Sequence, residues 1–404
     1  MTATPAGPLA GLRVLELGSF IAGPFAGQLL GDYGADVVKI ETTTTGDPMR
    51  RWGINVDGES LWWPSIARNK RSVALDLRQQ EGRELVRRLI TEVDVVLENF
   101  RPGTLTGWDL DYEALSALNP RLIMVHVSGF GQTGPRASEA GFGSIGEAMG
   151  GIRHTTGNPE LPPTRSGISL GDSLAAMFAV IGTLAAVHER HASGRGQEVD
   201  VAIYEAVAAL MESTMADHAV AGVTRGRTGS VLPGVSPSNV YPTADGAEVL
   251  IAANADTVFR RLCAAMGAPE LADDPRFADH HARGEHMAEI DGLVADWTRT
   301  MTADVLLKSM EESGVPAGRI YTAPDMLADP QYAARDMVVT LVNRFGAALP
   351  AAGIVPKFSR THPAAPVPGP ELGSHTRDVL TRLAGVDAAQ WERLQAAGVA
   401  VQAG

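Results

Sequence analysis

The stretch "LRVLELGSFIAGPFAGQLLGDYGADVVKIE", Leu12–Glu41, decides the fold class. Leu12–Leu17 is an apolar strand. Pro24–Gly34 reads as a helix, with Pro at its start and Gly at its end. Ala35–Glu41 is a second apolar strand. The alternation then repeats, with a strand at Ser72–Leu77, a helix at Gln80–Glu92, and strands at Val93–Asn99 and Arg121–Ser128. Apolar strands alternating with helices predict a parallel sheet with crossover helices, an α/β architecture.

A chain of 404 residues exceeds one compact core, so two domains are expected. Beyond the first strands, the run Leu174–Val187 is nearly all apolar. It falls short of the ~20 residues that span a bilayer, and it predicts a buried helix. Ser193–Val199 is a turn, and Val199–Ser213 passes from strand-like to helical. Ala221–Ser238 has the Gly, Ser, Thr and Pro content of a linker. A smaller α+β unit follows, with a strand at Ala247–Ala253 and a helix at Asp256–Gly267. Gly314–Met337 reads as a connector, and the chain stays Pro-rich to Pro370 before a helical stretch from Ser374. The predicted bounds are 1–220 for a large domain, 221–335 for linkers and a small domain, and 336–404 for a segment returning to the large one.

The formal charge of −13 argues against nucleic-acid and anionic-membrane partners, which require basic surfaces. A small anionic ligand stays compatible with a local cluster of Arg and Lys. One cysteine, Cys263, leaves no intrachain disulfide and fits a reducing cytoplasm. The first residues lack a basic start followed by an apolar run, so no secretory signal is expected. The ten histidines are scattered, and the densest group, His280–His286, has no metal-ligand spacing, so no metal is expected. No nucleophile-elbow serine is present.

Two G-x-G-x-x-G matches occur, at Gly129, Gly131 and Gly134 and at Gly141, Gly143 and Gly146. Neither opens a long helix directly after a strand, so loop glycines explain them better than a dinucleotide site. Asp172 stands at the start of the apolar helix. Read alone, it is a helix N-cap. A helix N-terminus also keeps a carboxylate ionised, and an ionised carboxylate can attack an activated acyl group. The basic residues in Ala67–Arg78 and Glu98–Gly103 read either as surface charge or as a cradle for phosphates at a sheet edge. Trp52 and the pair Trp62–Trp63 read as core packing.

Taken together, "LAGLRVLELGSFIAGPFAGQLLGDYGADVVKIE", "NKRSVALDL", "DVVLENFRPGTL", "NPRLIMVHVSGFGQTGP", "GDSLAAMFAVIGTLAAVHERHASGRGQEVDVAIYEAV", "GVPAGRIYTAPDMLADPQ" and "LGSHTRDVL" resemble the class III CoA-transferases. That group includes formyl-CoA transferase, carnitine CoA-transferase and α-methylacyl-CoA racemase. The resemblance implies a Rossmann-like large domain, a smaller α+β domain and an interlocked homodimer. It implies an acyl-CoA:carboxylate CoA-transferase with Asp172 as nucleophile, passing through an aspartyl anhydride and an aspartyl-CoA thioester. Coenzyme A and acyl-CoA are then substrates alongside small carboxylic acids, with no permanently bound cofactor, and succinyl-CoA is the suggested donor.

The resemblance further implies CoA contacts at Phe20, Ile21 and Ala22, at Leu75, Asp76, Leu77 and Arg78, and at Asn99, Phe100 and Arg101. It implies acyl-pocket positions at Trp52, Trp62, Phe142, Gly143 and Gly234, the last within Leu232–Asn239, the nearest counterpart of the family's glycine-rich loop. The chain departs from formyl-CoA transferase at Thr42 and Gly107, where that enzyme has CoA-contacting arginines, and at Ile21, where it has Gln. In the racemase branch a His occupies the place of Phe142, and Phe cannot move a proton. Transferase is therefore the leading expectation. Epimerisation and a non-catalytic acyl-CoA-binding protein are the alternatives.

Overall fold

The computed structural model describes residues 7–403. Six strands lie parallel in one sheet: Arg13–Glu16 (β1), Asp36–Glu41 (β2), Lys70–Leu75 (β3), Val95–Glu98 (β4), Ile123–Ser128 (β5) and Glu198–Ala202 (β6). Each carries apolar residues that enter the core, because side chains alternate between two covered faces. Val14, Val37 and Val95 enter one core, while Leu15, Val38 and Val96 enter the other.

A seventh strand, Ala400–Val401 (β7), pairs antiparallel with β3, giving the order β7-β3-β2-β1-β4-β5-β6. The sheet is therefore mixed and mostly parallel, a correction to the all-parallel expectation. The cause lies in the terminal helices Thr376–Leu383 and Ala388–Ala396. They seat Val379, Leu380, Trp391 and Leu394 in the same core as Val73 and Leu75. Gly398, at φ 67, then turns the chain so that its last strand meets β3 from the opposite direction. The β3 edge is thereby covered by a strand of only two residues.

From β1 the chain builds outward to β2 and β3, then returns to build β4, β5 and β6 on the other side. Such a reversal leaves a crevice at the carboxyl ends of the two central strands. The helices named below are Ala22–Asp32 (α1), Gln80–Ile90 (α2), Tyr112–Leu118 (α3), Gly143–Met149 (α4), Leu170–Ser193 (α5) and Ile203–Ala208 (α6). On one face of the sheet, α2 buries Leu85, Val86, Leu89 and Ile90. On the other, α5 buries the small residues Ala175, Ala176, Ala179, Thr183 and Ala186, which allow close approach to α1.

The expectation of a buried α5 holds for one face only. Met177, Ile181 and Leu184, spaced at helical turns, are exposed. By length and composition α5 could cross a membrane, but its Ala-rich face is packed in the core beside the sheet.

The chain divides into two compact units. The large one contains the seven-stranded sheet and takes in Ser166–Ala221 and the chain from Ala334 onward. The small one is His154–Arg165 with Gly222–Ala333. His154–Arg165, expected in the large domain, therefore belongs to the small unit. The small unit pairs Ala317–Arg319, Glu248–Ala252 and Ser238–Pro242 in an antiparallel sheet. Val249, Ile251, Leu262, Val294 and Leu306 form its core. The expected connector Gly314–Met337 is largely ordered. It holds the strand Ala317–Arg319 and the helices Ala323–Ala328 and Pro330–Ala334, the first started by a Thr322–Asp325 capping box.

Candidate active site

Two loops meet at the crevice: the one after β1 and the one after β4. Asn99 ties them, accepting from the Ser19 backbone N–H at 2.7 Å and donating to the Ser19 carbonyl at 2.8 Å. A Cβ on Gly18 would stand 2.5 Å from Asn99 Oδ1, so the tie requires glycine there. Phe20 follows at φ 65, a left-handed conformation that costs a bulky residue roughly 1–3 kcal/mol. Its N–H donates to Asp47 Oδ1 at 3.2 Å, which fixes the turn from below.

Asp47 belongs to a buried group of charges. Lys39 Nζ lies 2.7 Å from Glu16 and 2.8 Å from Asp47, and Lys70 Nζ lies 2.8 Å from the other oxygen of Glu16. Burial opposes charge on Lys39, yet Glu16 and Asp47 outweigh it and hold the ammonium above lysine's ordinary range. Burial likewise opposes charge on Glu16, but the two lysines hold its carboxyl below the usual range. Removing any one member would leave an uncompensated charge in the interior. A Cβ on Gly27 of α1 would reach 2.0 Å from Glu16 Oε2, so the helix approaches this group only through glycine.

Above this foundation lie two adjoining clefts, each of about 400 Å³. The first is lined by Phe20, Ile21, Ala22, Asn99, Phe100, Arg101, Phe142 and Asp172, together with Ser19 and Ser128. The second is lined by Leu75, Asp76, Leu77, Arg78 and Phe100, with Trp108 and the threonine loop Thr42–Gly46. Ser19 and Phe100 border both. In the second cleft, Asp76 accepts from Arg78 Nε at 2.9 Å, and that bond, with the Arg78 backbone N–H, holds the carboxyl below its usual range.

Asp172 is the third residue of α5, and Ser169 is its N-cap. The N-cap reading of Asp172 is therefore corrected. The carboxylate instead sits in the first helical turn, where the helix dipole favours negative charge. A Cβ on Gly143 would stand 2.1 Å from Asp172 Oδ2 and 2.7 Å from its Cγ. The carboxylate thus lies directly against a backbone stripped of side chain. Gly171 is pressed in the same way against the Gly143 carbonyl and Ile203, and Gly146 against Ile203. These contacts lock α4, α5 and α6 around the acid.

The glycine motifs are explained by packing. A Cβ on Gly129 would come within 2.7 Å of Gly141 Cα, and the reverse holds equally. The two "GFG" segments cross there at van der Waals distance, which only glycine permits.

Ten of the residues implied as CoA contacts line the two clefts, and Phe142 and Asp172 join them, with Gly143 directly behind Asp172. Trp52 and Trp62 do not line either cleft. Trp52 packs edge-on to Phe20 at 5.5 Å, and Phe20 edge-on to Phe142 at 6.5 Å, so Trp52 ends an aromatic row that starts in the first cleft. Trp62 is partly exposed, and it is its neighbour Trp63 that is buried, beneath the Arg50 guanidinium. Gly234 belongs to the small unit, at φ 76, against Gly284.

Sequence reasoning reached Thr42 but missed Ser19, the wall that Thr44, Thr45 and Gly46 form beside it, and the Lys39 charge group. A signal for the last was present. Glu16 and Lys39 are charges flanked on both sides by buried apolar residues, and they are directly paired in register. A charge in a buried strand needs a counter-charge beside it.

Known proteins share much of this sequence, and a solved structure shares the fold. The chain is 57% identical over 393 residues to a succinyl-CoA–D-citramalate CoA-transferase of Chloroflexus aurantiacus, covering 97% of this chain and 98% of that one. It is 39% identical to a succinate–glutarate CoA-transferase of Agrobacterium fabrum, covering 93% and 96%. The crystal structure of a CAIB/BAIF family protein from Brucella suis superposes with a TM-score of 0.82 at 37% identity, covering 94% of this chain and all of that one. The profile of CoA-transferase family III matches residues 9–376. The chain belongs to CoA-transferase family III and is a CoA-transferase.

Proposed function

We propose that the two clefts together take a CoA thioester, its nucleotide end against Leu75–Arg78 and its acyl end at Asp172, and that succinyl-CoA is the donor to a second small carboxylic acid. The observation that carries this reading is the Asp172 carboxylate, held against Gly143 in the lining of a cleft that meets the second cleft at Phe100. The donor is supported by the names of the relatives from Chloroflexus and Agrobacterium.

In the first step an Asp172 oxygen attacks the thioester carbonyl, the C–S bond breaks, and CoA leaves as thiolate, giving an aspartyl–acyl anhydride. The thiolate then attacks the Asp172 carbonyl carbon. The donor acid leaves as carboxylate and Asp172 becomes a CoA thioester. The acceptor carboxylate attacks that thioester and again expels the thiolate, forming a second anhydride. The thiolate finally attacks the acceptor's carbonyl, releasing the new thioester and regenerating the Asp172 carboxylate. No proton is gained or lost overall, so the site needs no general acid or base. Phe142 beside the carboxylate supplies none.

We also propose that the protein acts as a homodimer. The exposed stripe Met177, Ile181 and Leu184 supports this, as an apolar surface suited to cover by a second copy. The chemistry is tested by incubating the protein with succinyl-CoA and adding hydroxylamine. Mass spectrometry should find a hydroxamate on Asp172. An unmodified Asp172 in a preparation that exchanges labelled succinate into succinyl-CoA would sink the assignment. Screening carboxylic acids as acceptors, with succinyl-CoA as donor, then identifies the second substrate.

A further inference from the structure

Phe100 stands where the two clefts join, and a chain of three side chains fixes its backbone. Its N–H donates to Glu98 Oε2 at 2.7 Å. The other oxygen of Glu98 lies 2.6 Å from His126 Nδ1, and His126 Nε2 lies 3.2 Å from Glu198 Oε1. Glu98 and His126 are almost fully buried, whereas Glu198 is half exposed. An ionised carboxylate can only accept. Both ring nitrogens can therefore satisfy their partners only when the ring is an imidazolium.

Burial works against that charge, but Glu98 and then Glu198 outweigh it, and His126 is held above histidine's ordinary range. The other groups around the ring do not compete for it. A cavity of about 80 Å³ beside it is lined also by Asp111, which accepts from the Ala114 N–H at 3.0 Å, and by Tyr112 and Arg101. The Tyr112 hydroxyl is pushed up by burial and by Glu198, and stays neutral. Arg101 donates to the Ser138 carbonyl. Asp200, paired in register with His126 on β6, accepts from the Gln132 N–H.

We propose that His126 is a positioning residue for CoA: acting through Glu98, it sets the Phe100 backbone at the junction of the two clefts. The inference rests on reading those clefts as the CoA site. It has a definite sign. Below the raised pKa the imidazolium donates to both glutamates and neutralises buried Glu98. As pH rises through that pKa one donor and the positive charge are lost. Glu98 keeps at most a neutral hydrogen bond, and the Phe100 turn is held less firmly. A charged hydrogen bond exceeds a neutral one by enough to change affinity about fivefold.

The test is calorimetric binding of free CoA to the full chain between pH 6 and 9, with the His126 ring titrated by NMR on histidine-labelled protein. Wild-type affinity should fall about fivefold with a midpoint at the NMR pKa of His126. His126→Gln should bind about fivefold more weakly than wild type at pH 6 and equally at pH 9, and the ratio of the two proteins at each pH removes the ligand's own phosphate ionisation. Glu198→Gln, altering a half-exposed side chain, should move the midpoint to lower pH, and it carries the test should His126→Gln fail to fold. A His126→Gln protein with wild-type affinity at pH 6 overturns the proposal, as does a wild-type step that ignores the His126 titration or an unmoved midpoint in Glu198→Gln. Wild type that binds no CoA at any pH overturns the reading of the clefts themselves. Binding without the step overturns the role of His126 alone.

Discussion

The two clefts share Ser19 and Phe100 yet are built by opposite means. The first is shaped by missing side chains: Gly143 and Gly171 around Asp172, and Gly129 against Gly141. The second is shaped by charge and hydroxyls: Asp76 with Arg78, the threonines of Thr42–Gly46, and Lys39 among its carboxylates. Packing without side chains fixes an atom to within a fraction of an ångström, which a nucleophile requires. Charge and hydroxyls tolerate small displacements, which suits holding a large, flexible ligand. The comparison therefore predicts that substitutions in the first cleft act on kcat, and substitutions in the second act on KM.

Asp172→Ala should have the largest effect, a loss of more than about 10³-fold in exchange of labelled succinate, with CoA binding and thermal unfolding unchanged. Retained exchange would remove the first cleft from the chemistry altogether. Gly143→Ala comes next. Its methyl would stand 2.1 Å from the carboxylate oxygen, so the acid must rotate away. The expected loss is about 10²-fold in kcat with KM for succinyl-CoA little changed. An equal rise in KM would show that this glycine shapes binding as well, and the contrast between the clefts would fail.

The foundation beneath both clefts gives a test of sign. In a helix interior Gly→Ala ordinarily stabilises by up to about 1 kcal/mol. At Gly27 the new methyl would meet Glu16 Oε2 at 2.0 Å and part it from Lys70. Gly27→Ala should therefore destabilise by about 3 kcal/mol, read as a lower urea midpoint. A raised midpoint would mean that the buried charges adjust freely and do not anchor the Phe20 turn.

What the sequence made legible follows from the range of each signal. The alternation of strand and helix is local, so β1 to β5 and α1 could be located to within a residue or two from apolar runs and from Pro and Gly at element ends. The C-terminal strand could not. Two residues carry no period, and their antiparallel pairing depends on Trp391 and Leu394 docking far away in sequence. Asp172 was legible as an acid opening an apolar helix, but its position in the first turn, and its contact with Gly143, depend on how α4 meets α5. The exposed stripe Met177, Ile181 and Leu184 reads as core in any sequence, because apolar residues look alike whether their partner is the same chain or another. The Glu98–His126–Glu198 row was hidden for the same reason as Glu16–Lys39. Its members are distant in sequence and become neighbours only in the register of adjacent strands.

The smallest expected effect lies at Arg78. Its side chain is 76% exposed and reaches Asp76 at 2.9 Å. A solvent-exposed ion pair contributes little to stability, so Arg78→Ala should leave thermal unfolding unchanged. The guanidinium nonetheless borders the second cleft, where the proposed ligand carries its phosphates. A flexible, hydrated contact of this kind adds affinity without placing any reacting atom. The expected result is a rise of about threefold in KM for succinyl-CoA at low salt, shrinking as salt is added, with kcat unchanged. Steady-state kinetics at two salt concentrations read this directly. A fall in kcat would mean that the nucleotide end governs the geometry at Asp172, and the division of labour between the clefts would have to be redrawn.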